Sequence, residues 1–562
     1  MSPELFFENF SNIANSKTGV DTLRRLVTDL AVKGKLTGQT NEESAETLLS
    51  NLAEEKDKLV KEGTAKRNSP NNTVSPLFEL PECWAWGNLE QLSVNIHYGV
   101  TTKAIAGRKG VRLLRITDIQ NNKVNWKTVP GCDIGENDRE KARLSDGDLL
   151  IARTGGTIGK TYLVENLSVE AVFASYLIRF IPLPSINSSY IKLFTLSSTY
   201  WQQLIDASSG TGQPNVNATS LKAMQVPLPP VNEQKRIVRK VDELMKLCDK
   251  LEQQQQERSK LFPLLSHANH TRFAVDPSPT NLAAIFTDPP SLYPEDMRKA
   301  ILQLAVQGQL TCQVLEAKSA SSLLATLREN KEEMQQEIVG RKRTPIAGLE
   351  LPTLGNSLPK TWELTHFDET LVISSGVTKG RNLTGRKTIH LPYLRVANVQ
   401  RWYVNLEHVK EIEVLEDDRE KYRLLRGDIV MIEGGDWDKL GRSAIWNEEI
   451  KDCIHQNHVF RIRSPNKKCL LPEWVVLYAN SPLGRAYFES CSKQTTNLAS
   501  INMTQLRACP LPLPPASEQQ RIVDRVRQLM TLVDELEAKH TKANSVADLF
   551  AKTAVCEITS ST

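Results

Sequence analysis

Val226-Pro-Leu-Pro-Pro-Val-Asn-Glu-Gln-Lys-Arg-Ile-Val238 and Leu511-Pro-Leu-Pro-Pro-Ala-Ser-Glu-Gln-Gln-Arg-Ile-Val523 are one phrase written twice in the same chain. In each copy clustered prolines end what precedes them, and a short polar residue, Asn232 or Ser517, is predicted to cap the helix that follows. That helix carries Ile237, Val241, Leu244, Cys248 and Leu251 in one copy and Ile522, Val526, Leu529, Val533 and Leu536 in the other. The four-three alternation is that of a coiled-coil seam. An isolated amphipathic helix more often lays its stripe on its own domain. Two matching seams in one chain offer each other a partner, so a coiled coil is expected.

Outward from this phrase, the repeat has a period of roughly 280 residues, far longer than a solenoid unit, so whole domains stand in tandem. Leu23-Arg-Arg-Leu-Val-Thr-Asp-Leu-Ala-Val-Lys-Gly-Lys-Leu-Thr-Gly-Gln39 matches Met297-Arg-Lys-Ala-Ile-Leu-Gln-Leu-Ala-Val-Gln-Gly-Gln-Leu-Thr-Cys-Gln313. Leu23, Leu26, Val27 and Leu30 have helical spacing, and Gly34 or Gly308 suits the helix stop. A second helical stretch follows around 45–62 and 320–339, then a polar, proline-containing linker ending at Leu80-Pro-Glu-Cys-Trp84 or Leu358-Pro-Lys-Thr-Trp362. Further on, Gly99-Val-Thr pairs with Gly376-Val-Thr, Leu114-Arg-Ile with Leu394-Arg-Val, and Asp138-Arg-Glu-Lys141 with Asp418-Arg-Glu-Lys421. Gly147-Asp-Leu-Leu-Ile151 and Gly427-Asp-Ile-Val-Met431 each read as a turn feeding an apolar strand that opens into a glycine-rich loop. The expected fold class is α+β, with two mixed α/β domains separated by long helices. Its segments are a helical region and linker (1–78), a first mixed domain (79–230), a heptad helix and linker (231–295), a second helical region and linker (296–356), a second mixed domain (357–515), and a heptad helix and tail (516–562).

The 562 residues are too many for one hydrophobic core, and length alone favours roughly three or four compact bodies. The chain is 40% hydrophobic and 24% charged, without the roughly eighteen consecutive apolar residues a membrane helix needs. Its start, Met1-Ser-Pro-Glu-Leu-Phe-Phe, lacks the pattern of a secretory signal, so the cytoplasm is the expected compartment. Nine scattered cysteines with no C-x-x-C pair argue against a disulfide framework or a zinc site, and for buried thiols. A net charge of +4 is only mildly basic, so any nucleic-acid contact must use local positive charge.

Helical start, α/β domain, Leu-Pro-Leu-Pro-Pro…Glu-Gln…Arg-Ile-Val and heptad helix, all occurring twice and in order, resemble the specificity subunit of type I restriction-modification systems over nearly the whole chain. The resemblance implies that each mixed domain is a target recognition domain reading one half of a split double-stranded DNA target. It implies that the helices hold the two domains apart as an antiparallel coiled coil, with an internal pseudo-twofold. It implies a chain without catalysis, metal or cofactor of its own. The chemistry would lie in partners: two modification subunits that methylate adenine with S-adenosylmethionine, and restriction (motor-nuclease) subunits that use ATP and Mg. Two readers on a rigid spacer should demand half-sites at a set distance. Because the domain interiors differ, the target should be asymmetric. The duplicated helices at 23–62 and 297–340 would offer two equivalent docking surfaces.

Three sets of residues are candidates for DNA contact. The loop Arg153-Thr-Gly-Gly-Thr-Ile-Gly-Lys-Thr161 suggests a phosphate cradle, yet its glycine spacing is one residue short of a Walker A loop. Its counterpart Glu433-Gly-Gly-Asp-Trp-Asp-Lys-Leu-Gly-Arg-Ser443 has no Gly-Lys-Thr ending. The reading kept is DNA contact by Arg153 and Lys160, and by Lys439 and Arg442, against that of a plain hairpin turn. The second set, Thr101, Thr102, Lys103, Arg108 and Lys109, is echoed by Lys379, Arg381, Arg386 and Lys387, and competes with a solvated face. The third is Arg115 and Arg395, followed by Thr117, Asp118, Asn398 and Gln400; the alternative is that each arginine pairs with an acid such as Asp148 or Asp428. Ser209-Gly-Thr-Gly-Gln-Pro-Asn215 and Lys493-Gln-Thr-Thr-Asn497 either present polar groups to DNA or cap helices.

Catalytic patterns are missing. The nearest approach to a methyltransferase target loop is Asp288-Pro-Pro-Ser291, where serine replaces the ring that would stack on a flipped base, and it is read as linker. The competing functions are a structural adaptor of a defence complex, a specificity subunit of a system that only methylates, and an enzyme in its own right.

Overall fold

The computed structural model describes residues 3–38, 45–69, 74–120, 122–207, 215–286, 293–314, 319–339, 346, 358–435, 439–494 and 499–560. The chain forms two compact units, one of residues 1–258 with 542–562 and one of residues 259–541. Two units replace the three or four that length suggests, because the short helices share the core of the sheet domain beside them. In the first unit Ala31, Val32, Leu48 and Leu52 lie in one buried cluster with Trp84, Phe180, Tyr190 and Leu228. In the second, Leu302, Ala305, Leu324 and Leu327 join Trp362, Trp474 and Leu513.

The repeated proline phrase does three things in each unit. Its Val-Pro-Leu or Leu-Pro-Leu run lies in a strand: Gln225–Leu228 pairs antiparallel with Ala85–Asn88, and Pro510–Leu513 with Glu363–His366. Proline is tolerated there because each ribbon has only two strands, leaving an edge that needs no donor. The long helices begin at Val231 and Ala516, so Asn232 and Ser517 sit inside the first turn and do not cap it as expected. The Glu-Gln pair is a buried tether. Glu233 accepts from Trp84 Nε1 (3.1 Å) and Thr37 Oγ1 (3.1 Å), and Glu518 from Gln313 Nε2 (2.7 Å). Gln234 donates to the Pro229 carbonyl and Gln519 to that of Pro514, both at 2.9 Å.

The heptad stripe divides its work. Ile237 and Val241 belong to the core of the first unit, and Ile522 and Val526 to that of the second. At these turns the stripe serves its own unit, because a helix leaving a domain must first bury the face that lies on it. Further along, Leu244 is half-buried, and Cys248 and Leu251 pack with Ile13, Leu23, Ala551 and Ala554 inside the first unit. In the second unit Val533 is buried, while Leu529 and Leu536 are half-buried. A clamp repeats here too. Arg24 reaches Asp249 and Glu252 (2.7 and 2.6 Å), and Arg298 reaches Asp534 and Glu537 (2.6 Å each), so each first helix grips its long helix.

Each unit centres on a four-stranded antiparallel sheet of the same order. In the first, Ser93–Tyr98 pairs with Leu177–Pro182, then Leu149–Ala152, then Thr161–Leu163. In the second, Val372–Ser375 pairs with Val459–Arg463, then Asp428–Ile432, then Ser443–Trp446. The apolar runs after Gly147-Asp and Gly427-Asp are fully buried because both faces of the sheet are covered. Leu149 and Ile151 enter one cluster, Leu150 and Ala152 another, and Ile429 and Met431 divide from Val430 and Ile432 in the same way. A parallel pair lies alongside, Arg112–Leu114 with Ala171–Phe173 and Thr388–Leu394 with Ile454–His455; among the described residues the second unit alone adds a third strand, Lys410–Leu415, to it.

Candidate nucleic-acid interface

One end of each sheet gathers the polar loops. In the first unit, Ser93–Tyr98 and Leu149–Ala152 end there, and Thr161–Leu163 and Leu177–Pro182 begin there. The Arg112–Leu114 strand ends there as well, since the Ala174 N–H donates to the Leu114 carbonyl (3.0 Å) and Val100 bridges to Ala174. This end therefore collects Thr101, Arg115, Arg153 and Lys160. Arg108 and Lys109 precede the start of that strand instead. Their neighbour Arg112 pairs with Ala171, about 10 Å from Ala174 at the usual strand rise, so they do not join the group. Arg108 pairs with Asp133, whose carbonyl accepts from Thr102 Oγ1 (2.9 Å), while Lys103 is exposed between them.

The second unit sorts its candidates the same way. Arg395, Lys439 and Arg442 flank the equivalent end. Arg386 and Lys387 stand before Thr388, about 20 Å from Arg395 along the strand. Lys379 lies over the Tyr393 ring (5.7 Å), and Arg381 pairs with Asp418 (2.7 Å).

Arg115 and Arg395 do pair within the fold, though not with the acids suggested by sequence. Each opens a short 3-10 turn, and its backbone N–H donates to Asp118 or Asn398. The Arg115 fork also closes on Asp118 (3.0 and 2.8 Å), whereas Arg395 donates to the His408 carbonyl (2.8 Å). Asp148 and Asp428 are buried and taken by Arg179 and Arg463, at 2.6 and 2.5 Å. They also close the turn before their strand by accepting from the N–H of Ser145 and of Leu425.

The glycine-rich loop is a tight hairpin around a 3-10 turn, Gly155–Thr157. A side chain on Gly159 (φ +77°) would strike Leu204 at 2.2 Å, and one on Gly441 (φ +65°) would strike Phe488 at 2.5 Å. Packing against a helix explains these glycines, with no need of a phosphate. Lys160 is exposed, and Arg442 donates to Gln400 Oε1 (2.9 Å). Beneath the loop Lys192 reaches the carbonyl and hydroxyl of Thr161 (2.6 and 2.7 Å), and burial pushes its ammonium down to about 8. Residues 209–214, 495–497, 288–291 and 436–438 lie outside the described residues, and with them most of the two polar segments, the Asp-Pro-Pro-Ser run and the tip of the second loop. Of the first segment Asn215 is described, and it bridges to Thr154. The caps of the short helices that follow are Asn217 and Asn502.

Sequence reasoning passed over the aromatic and acidic residues at this end. The Arg153 guanidinium stacks on Tyr98, 4.8 Å from the ring centroid, with Tyr176 exposed nearby. In the second unit Glu433 meets His458. The hairpin after each 3-10 turn carries a left-handed residue at its tip, Asn122 (φ +58°) or the exposed Trp402 (φ +79°). Aligning the repeats residue by residue from Gly99 and Gly376 would have exposed these exchanges. Among the described residues no group of three or more His, Cys, Asp or Glu could hold a metal ion, and no helix is long and apolar enough to cross a membrane.

Comparison with known proteins agrees with this two-fold reading. The model of the type I restriction modification DNA specificity domain matches residues 102–259 and again 359–544. The type I restriction enzyme EcoEI specificity subunit of Escherichia coli is 25% identical over 93% of this chain and 91% of its own. The EcoAI specificity subunit of Escherichia coli is 27% identical over 96% and 94%. The crystal structure of the HsdS subunit from Thermoanaerobacter tengcongensis matches 86% of this chain and 97% of its own at 16% identity, with a TM-score of 0.40. Since the domain model matches more than half of the sequence, once in each repeat, this chain belongs to the type I restriction-modification DNA specificity family.

Proposed function

We propose that this chain is the DNA-reading subunit of a type I restriction-modification complex, with recognition domains at 79–230 and 357–515 that each read one half of an asymmetric, split target. One observation carries this reading: the same sheet end recurs in both units on the same backbone, furnished with different side chains. A shared frame gives both domains one way of meeting a duplex, and different side chains give them different bases to prefer. Thr101, Arg115, Arg153 and Lys160, and Arg395, Lys439 and Arg442, supply its contacts.

The long helices act as an antiparallel coiled-coil ruler between the readers, related by an internal pseudo-twofold. The packing of Cys248 and Leu251 against Ala551 and Ala554, near the far end of the second helix, supports this direction. The chain is a reader and not a catalyst. Modification subunits, two per chain, methylate adenine with S-adenosylmethionine, and motor-nuclease subunits use ATP and Mg, in a complex that works on cytoplasmic DNA. The helical regions at 23–62 and 297–340 dock the modification subunits, beside leucines that each unit exposes on its long helices, such as Leu247 and Leu549 in the first and Leu264 and Leu532 in the second.

Co-expression with the cognate modification subunit, followed by single-base mapping of methylated adenine, tests the function. A single asymmetric split motif is expected, and exchange of residues 85–225 should alter one half only. Absence of any motif would favour a structural adaptor instead.

A further inference from the structure

Arg153 and Glu433 occupy one place in the repeated frame. Each follows the end of the central strand, and each backbone N–H donates to the carbonyl of the residue that closes the turn before the neighbouring strand, Tyr176 (3.2 Å) or His458 (3.0 Å). Each carbonyl accepts from the N–H of Val216 (3.0 Å) or Ile501 (2.8 Å). The strand beside each ends in a glycine crowded by the neighbouring backbone, Gly99 or Gly376, and the residue before it is Tyr98 in one unit and Ser375 in the other.

What the units mount on these atoms is opposite in charge. In the first, the Arg153 guanidinium is stacked on Tyr98, whose hydroxyl is fixed by the Ala218 N–H (2.9 Å), and Tyr176 is 60% exposed. Arg153 Nε is buried without a hydrogen-bond partner among the described residues. In the second, Glu433 Oε2 lies 2.5 Å from His458 Nδ1, with both side chains partly open to solvent.

Charges that serve the fold keep their sign across the repeat. The buried Asp148 and Asp428 each hold an arginine, although Arg463 stands two residues beyond Arg461, the register counterpart of Arg179; Glu90–Lys222 (2.9 Å) answers Asp368–Arg507 (2.7 Å); and the clamps of Arg24 and Arg298 match. A place where the backbone contacts persist and the charge inverts is one the fold does not prescribe. It is free to be set by what the sheet end meets.

We propose that this place fixes one base in each half-site, with Arg153 reading guanine in the half met by the first unit and Glu433 reading a base with an exocyclic amine, cytosine N4 above all, in the half met by the second. The assignment rests on the DNA-reading function proposed above. An arginine fork matches guanine O6 and N7, and a carboxylate accepts from cytosine N4. The Tyr98 ring and the His458 imidazole orient the two groups beforehand, which lowers the entropy lost on binding.

The test uses the full complex with its modification subunits, selecting from duplexes randomised in each half of the mapped motif and sequencing the bound fraction. Arg153→Lys keeps the charge and loses the fork, and Glu433→Gln keeps the shape and gains a donor. Each should relax a single position in its own half by roughly ten- to a hundred-fold, a guanine for Arg153 and an amine-bearing base for Glu433. The untouched half reports that the chain is folded. Unchanged preferences in both variants, relaxation at a thymine, or loss of binding to every duplex would each overturn the assignment. A wild-type complex that selects no motif would overturn the DNA-reading function and the assignment together.

Discussion

A side chain on Gly99 would meet the carbonyl oxygens of Phe173 and Ala174 at 2.3 and 2.5 Å, and one on Gly376 those of His455 and Gln456 at 1.9 and 2.5 Å. Both units need glycine where these backbones cross. One residue earlier the first unit has Tyr98 and the second Ser375, and nothing in the fold asks them to agree. The difference teaches which positions a duplication is free to change. Where two backbones touch the residue is kept, whereas residues at strand ends, with one face in solvent, are free to acquire new contacts.

The largest effect should come from the buried pairs. Asp428→Ala leaves Arg463, and Asp148→Ala leaves Arg179, as an uncompensated buried charge, at a cost of about 3–5 kcal/mol in the altered unit alone. Unit-resolved hydrogen exchange reads this; equal loss of protection in both units would break the picture of two separately built cores. Gly376→Ala and Gly99→Ala come next, each costing about 1–3 kcal/mol or more as the backbones are forced apart. A neutral result at either would show that the crossing has slack.

A third experiment sharpens the comparison, because the buried Phe173 of the first unit corresponds to His455 in the second. His455 Nδ1 lies 2.6 Å from the Val459 carbonyl and its Nε2 is buried without a partner among the described residues, so the ring sits neutral. Burial, with the nearby Arg461 adding to it, holds its pKa down to about 3. Unfolded histidine takes its proton near 6.5, so between pH 6.5 and 3 the unfolded state binds more protons and stability falls on acidification, by up to about 1.4 kcal/mol per pH unit. H455F should flatten that loss in the second unit, and an unchanged pH slope of its exchange protection would exclude this origin. The smallest effect is expected from R24A and R298A, whose clamps are part-exposed and worth about 1 kcal/mol or less. Equal, small losses of thermal stability in the two variants would agree with equivalent clamps, and a large loss in one alone would not.

The candidate site was legible as a set of loops and illegible as a surface. Arg108 and Arg115 look like neighbours in sequence, yet a strand carries one to each end of its length. Arg386 and Arg395 are parted in the same way, by Thr388–Leu394. The pairing of Arg115 with Asp118 turns on a local 3-10 geometry that no periodicity reveals. The heptad stripe was visible in full, but Ile237 and Ile522 could not announce that they belong to the cores beside them, because an apolar side chain at seam spacing is equally good filling for either.

The sequence by itself determined the duplication, the order of elements in each copy, the helix stops at Gly34 and Gly308 (φ +70° and +71°), and the buried strands after Gly147 and Gly427. Those features follow from local backbone preference and from the period of apolar residues, which need no partner to be read. Tertiary structure alone decided which charges are paired, which glycines are held by packing, and which side chains share the open end of the sheet. Each of these depends on atoms brought together from distant parts of the chain, and spacing along the sequence does not encode that distance.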